Sequence, residues 1–310
     1  MSLLRASLFT IASLSLLNCV PSESSVNSTD IAAALPTAAQ VKINLPQSTA
    51  SALVGETAEW YRATRDVTRV LNGGTAWVLT VVHTVVQFPA TSRSGDTLTW
   101  GPYSQALDPA EWKLEVTQLA DDSYHWTMSS RSKLRSTAQF EAIIDGNAVA
   151  GATIGQGNGT FSIDFDAAER VNPTENDGVG QFNATYDLAA RHLTINAVAI
   201  EDRGSGPMPI TTRYEYNEAS NGSGDMLLAV HGDTEDAGVL AEDAAIHSRW
   251  MQNGAGRADI RITSGDVDAT VTGSECWNTT FARVFYIDSG TFMPSEGSAT
   301  DCVFATASMP

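Results

Sequence analysis

The sequence predicts a mainly β protein, an antiparallel up-and-down meander curled into a barrel or half-barrel and preceded by one or two helices. Three observations carry this expectation. A two-residue side-chain rhythm runs from Thr97 onward, turn residues punctuate it, and one helical stripe precedes it. Ten or more consecutive antiparallel strands exceed what a flat open sheet tolerates, so curling is expected, with a two-sheet β-sandwich as the alternative.

From the N-terminus, Met1 to Arg5 carry one positive charge, Ala6 to Leu17 form an apolar run, and Cys19 follows. This reads as an export signal over 1–18, too short to span a bilayer. Leu16-Leu17-Asn18-Cys19 is similar to the lipobox of bacterial lipoproteins, which implies lipid attachment at Cys19. Asn18 departs from the small residue usual there, and an ordinary cleaved signal is the alternative. Val20 after the cysteine resembles an outer-membrane sorting signal. Residues 19–47 are rich in Ser, Thr, Ala, Pro and Asn without amphipathic period, as in a flexible tether.

Residues 48–90 are expected to form a helical segment packed on the sheet. Leu53, Thr57, Trp60, Thr64, Val67 and Leu71 recur at steps of four and three. Ser48 or Ser51 is the candidate cap, and Asn72-Gly73-Gly74 is the expected stop. Trp77 to Phe88 reads as a second helix, with a Val- and Thr-rich strand as the alternative. The antiparallel β domain occupies 91–310. Its alternating segments include Tyr124/Trp126/Met128, Phe161/Ile163/Phe165, Thr212/Tyr214/Tyr216 and Ile246/Ser248/Trp250. Asp145-Gly146-Asn147, Asn221-Gly222, Asn253-Gly254 and Ser264-Gly265-Asp266 read as turns between strands.

Composition narrows the function classes. The 310 residues include 18 basic and 36 acidic side chains, a net charge of −18, and are 43% hydrophobic. That is too apolar for a disordered chain and too acidic, with no basic stripe, for a nucleic-acid binder. With the export signal removed, Cys276 and Cys302 are left as an even pair, expected to form a disulfide in an oxidising compartment.

The search for catalytic motifs returns little. Gly204-Ser205-Gly206 and Gly222-Ser223-Gly224 lack the nucleophile-elbow spacing. His83, His125, His192, His231 and His247 show no zinc-site spacing. Gly155, Gly157 and Gly159 lead into a strand rather than the helix a phosphate loop requires. The acidic loop of Asp233, Glu235, Asp236, Glu242 and Asp243 has oxygens for calcium but no EF-hand spacing, and reads as solvated. No catalytic, metal or cofactor-binding residue is expected, and no cofactor.

Trp100-Gly101-Pro102, Ser248-Arg249-Trp250, Gly254-Ala255-Gly256-Arg257-Ala258-Asp259, and Glu275-Cys276-Trp277 with Phe281, Phe285-Tyr286 and Cys302 together resemble a group of uncharacterised exported bacterial lipoproteins. The resemblance implies export and a β fold and carries no activity. The expected role is a non-enzymatic, lipid-anchored envelope protein, outer-membrane anchored or periplasmic, binding a small amphiphile or lipid inside a curved sheet. Trp126, Tyr214, Tyr216 and Trp250 are the candidate ligand-lining residues, and a dry core built from the same aromatics is the competing reading. The alternatives are a surface interaction or structural lipoprotein meeting a basic protein partner, and a hydrolase whose site is assembled only in the fold.

Overall fold

In the computed structural model of the chain, the described residues are Ile31, Leu35 and 57–309, less 120–121, 154, 177, 203–205, 234–239, 291 and the side chains of 201–202. The expected export signal, Cys19, the expected tether apart from Ile31 and Leu35, and the candidate caps Ser48 and Ser51 lie outside them.

The period-two segments form strands because alternate side chains find one apolar face to bury. In order they are β1 (Ser92–Ser94), β2 (Thr97–Tyr103), β3 (Ala110–Gln118), β4 (Ser123–Ser132) and β5 (Glu141–Val149). β6 (Asn158–Asp164), β7 (Gly180–Asp187), β8 (His192–Asp202), β9 (Pro207–Glu218) and β10 (Gly224–Gly232) follow. β11 (Glu242–Trp250), β12 (Gly256–Ser264), β13 (Val271–Trp277), β14 (Arg283–Asp288) and β15 (Glu296–Gly297) complete the set. All fifteen belong to one antiparallel sheet in strict chain order, not to the two sheets of a sandwich.

The sheet does not close, which corrects the expectation of a barrel. β1 pairs with β2 and β15 with β14, and the two ends do not meet. The reason lies in the terminal strands, three and two residues long, which are too short to carry a closing ladder. No helix among the described residues is long and apolar enough to cross a membrane.

Among the described residues the helical segment is one continuous helix, α1 (Glu59–Val86), where the sequence left one or two open and placed a stop between them. It runs through Asn72-Gly73-Gly74, the expected stop. Both glycines face solvent, while Thr68, Asn72, Thr75, Val78, Leu79, Val82 and Val86 are buried on either side of them. Continuity costs about 1 kcal/mol per glycine relative to alanine, and packing of two buried half-faces offsets it.

α1 lies across the strands on one face of the sheet. Its first turn has no side-chain cap of its own. Instead the buried Glu275 carboxylate on β13 accepts the backbone N–H groups of Glu59 at 3.0 Å and Trp60 at 2.6 Å. Farther along, the Thr64 and Ser248 hydroxyls meet at 2.5 Å, and beyond the C-terminus the Trp100 indole donates to the Phe88 carbonyl at 2.8 Å. The helix therefore passes from β13 over β11 to β2.

The register lines up the residues beneath it. One continuous row of cross-strand partners runs from Leu98 through Val116, Trp126, Gly146, Phe161 and Ala184 to Ile195 and Tyr214. Gly146 thus sits inside β5, not in a turn. Its role is to seat an aromatic ring. Trp126 covers Gly146, Tyr186 covers Gly159, Trp250 covers Gly224 and Trp277 covers Gly256, each aromatic directly opposite its glycine. A Cβ at any of these four glycines would come within 2.7 Å of its partner's ring or hydroxyl. The flat rings leave room for the helix to approach.

A second helix, α2 (Phe165–Val171), interrupts the meander where the alternation had pointed to continuing strand. Asp164 ends β6 and caps α2, accepting the Ala167 N–H at 2.9 Å.

On the face away from α1, the Cys276–Cys302 disulfide forms as expected and fastens the C-terminal residues over β11 and β12. There Asp259, fully buried, accepts from Arg257 at 2.8 Å, Arg249 at 3.0 Å and the Ser308 N–H at 2.8 Å. Arg249 also donates to the Thr306 carbonyl, and Arg257 to those of Phe304 and Ala305.

Candidate functional site

The four aromatics singled out from sequence all lie on the helix-bearing face, each at most 4% exposed. Tyr214 and Tyr216 stack with centroids 6.5 Å apart, and Tyr216 meets Trp250 at 5.8 Å. Trp126 stands five strands from Tyr214 in the same row, beside Phe161 at 6.2 Å. Three of the four thus form one cluster, and the fourth lies toward the other end of α1.

What faces Tyr214 is polar. α1 turns Thr68 and Asn72 toward its hydroxyl, close enough for both to act on its titration, yet among the described residues the Thr68 Oγ1, both Asn72 amide atoms and the Tyr214 hydroxyl complete no well-formed hydrogen bond. All three side chains are at most 1% exposed. The Tyr186 hydroxyl on β7 and the Trp126 indole N–H are likewise unpartnered. Native interiors leave few such groups, because each forfeits the hydrogen bonds it makes with water. Burial raises the Tyr214 phenol far above its ordinary pKa, with Thr68 and Asn72 pulling the other way, so it remains a neutral donor. Tyr216 is also pushed up, first by burial and then by Glu218, to which its hydroxyl donates at 2.8 Å.

The interface changes character along the helix. Its N-terminal half buries Thr64, Thr68 and Asn72, and its C-terminal half buries Val78, Leu79, Val82 and Val86 against a core that includes Leu98, Trp100 and Trp126. Ile31 and Leu35 join that apolar end, where the Leu35 carbonyl lies 3.0 Å from His83 Nδ1. Sequence reasoning missed Thr68, Asn72 and Tyr186. The available signal was a helical stripe carrying Thr and Asn at positions that must face the sheet.

On the opposite face a groove of about 480 Å³ opens over β8 to β12, with Ala229 and Ala245 between Arg213 and Arg261. His231 and Asp243 pair in its wall at 2.8 Å, and the hydrogen bond from His231 holds the exposed Asp243 carboxyl below its usual pKa. It is open and of mixed charge. The other four histidines each stand with a local partner elsewhere, and among the described residues no three His, Cys, Asp or Glu side chains are placed to hold a metal ion.

No protein-family model, curated protein or solved structure matches the chain.

Proposed function

We propose that the protein is a non-enzymatic, lipid-anchored envelope protein that binds a small amphiphile between α1 and the sheet. The observation that carries this reading is the set of Thr68, Asn72 and Tyr214 polar atoms, which face one another without a well-formed hydrogen bond, buried beside an aromatic floor and continuous with an apolar half-interface. A molecule with a polar head and an apolar chain complements both halves at once.

The sheet supports the reading if it arches. Eleven intervals separate β2 from β13, about 53 Å of sheet at ~4.8 Å per strand. α1, with 28 residues, is about 42 Å long and reaches from one to the other. A sheet bent into an open half-barrel reconciles the two lengths, with the helix along its hollow. Lipid attachment at Cys19 would hold such a carrier at a membrane surface.

The test is gentle purification of the full-length protein from its native envelope, followed by mass spectrometry of the solvent extract and of the N-terminal peptide. One class of co-purifying amphiphile in stoichiometric amount, and an acylated peptide beginning at Cys19, are expected. An extract free of amphiphile, from protein that also fails to take up an added one, would overturn the binding role.

A further inference from the structure

We infer that the ligand head is uncharged and hydrogen-bonding, a glycerol, sugar or amide group held by Thr68, Asn72 and Tyr214, and that Gly73–Gly74 is the hinge that admits it. This rests on the amphiphile-binding reading above and goes further by naming the head-group class, the residues that bind it and the route of entry.

The head-group class follows from what the site lacks. Its unpartnered atoms belong to hydroxyl and amide side chains, and none carries charge. An ionised phosphate or carboxylate would lose its hydration there with no counter-charge to replace it. Among the described residues no charged group acts on the Tyr214 hydroxyl; Arg191 acts on Tyr216 instead, its Nη2 paired with Glu218, which in turn accepts from Tyr216, and its Nε without a partner. A neutral head meets every need: Asn72 offers a donor and an acceptor, and the two hydroxyls offer either.

Entry requires movement, because Tyr214, Thr68 and Asn72 are covered by α1 itself. The helix is weakest at the residues adjoining the site. Gly73 and Gly74 follow Asn72 directly, face solvent and have no atom within 4 Å of where a side chain would begin. Beyond them the apolar half is embedded in the main core. Swinging the segment N-terminal to the pair outward about Gly73–Gly74 exchanges the Thr64–Ser248 hydrogen bond and the two to Glu275 for water, and gives up none at Thr68 or Asn72, whose polar atoms hold no well-formed bond to the sheet.

The experiment compares 1-monolauroylglycerol with dodecyl phosphate, equal in chain length and different in head, binding to the full-length protein. Monolauroylglycerol is expected to bind at least tenfold more tightly, and Asn72→Leu and Thr68→Val to remove that preference while leaving the thermal midpoint unchanged or raised. Preference for dodecyl phosphate, or retention of the neutral preference in both variants, overturns the head-group assignment and leaves the amphiphile reading standing. Failure of both lipids to bind defeats that reading itself. For the hinge, the Gly73→Ala/Gly74→Ala double variant is expected to slow association of monolauroylglycerol about tenfold and to increase amide protection over 59–72. Unchanged association kinetics overturn the hinge alone.

Discussion

At the scale of single residues, the fold is tied together by polar groups that the resemblance motifs contain. Glu275 starts α1, Trp100 holds the chain just beyond its end, and Arg257 and Asp259 hold the C-terminal residues. Glu275 is fully buried, and Arg283 Nη1 stands 3.7 Å from its carboxylate. Glu275→Ala is expected to cost about 1–3 kcal/mol, since it leaves two partly buried N–H groups without their acceptor, as measured by urea unfolding. The pH dependence has a definite sign. Burial raises the folded-state pKa of Glu275 above the 4.5 of an unperturbed carboxyl, outweighing the two N–H groups and Arg283. Its contribution is therefore fully present below about pH 4.5 and lost as pH rises through the raised folded value. The stability advantage of wild type over Glu275→Gln should shrink as pH increases across that window. A constant difference would show that the carboxyl titrates alike in folded and unfolded chains.

At the scale of elements, strand rhythm was legible because side-chain alternation is local, and the triplets Thr212/Tyr214/Tyr216 and Ile246/Ser248/Trp250 face the helix together as the pattern required. Two elements were misread for one reason. Asp145-Gly146-Asn147 has turn chemistry, and Asn72-Gly73-Gly74 has stop chemistry, yet tertiary partners override both: Trp126 needs the bare backbone of Gly146, and the sheet buries α1 on both sides of its glycines. These glycines should respond oppositely to alanine. Gly146→Ala would put a Cβ 2.4 Å from the Trp126 ring and 2.8 Å from the Thr160 carbonyl, and is expected to destabilise by about 1–3 kcal/mol. Gly73→Ala meets nothing and should stabilise by roughly 0.5–1 kcal/mol. Paired thermal melts of the two variants measure both. The candidate site was partly legible: Tyr214 stood out as an aromatic on an inward strand face, whereas Thr68 and Asn72 look unremarkable until the sheet covers them.

At the scale of the whole molecule, a fifteen-stranded meander of mostly neighbour-to-neighbour contacts is held in one piece by two cross-ties, α1 on one face and the disulfide-fastened C-terminal residues on the other. The bond closes a 26-residue separation, and its reduction is expected to cost on the order of 3 kcal/mol through the entropy regained by the unfolded chain. Denaturant midpoints with and without dithiothreitol should differ accordingly, and protease cleavage after Arg249 and Arg257 should accelerate once residues 302–309 are released. Equal midpoints and equal cleavage would mean the hydrogen bonds to Asp259, Arg249 and Arg257 suffice. The sequence by itself determined the class of fold, the antiparallel order of neighbouring strands and the cysteine pairing, because each depends on periodicity, short connections or parity within the chain. Only the tertiary structure decided that the sheet stays open, that one helix crosses it unbroken, and that three uncharged polar side chains meet beneath that helix. Those outcomes depend on which distant surfaces bury one another, and no local pattern encodes such a pairing.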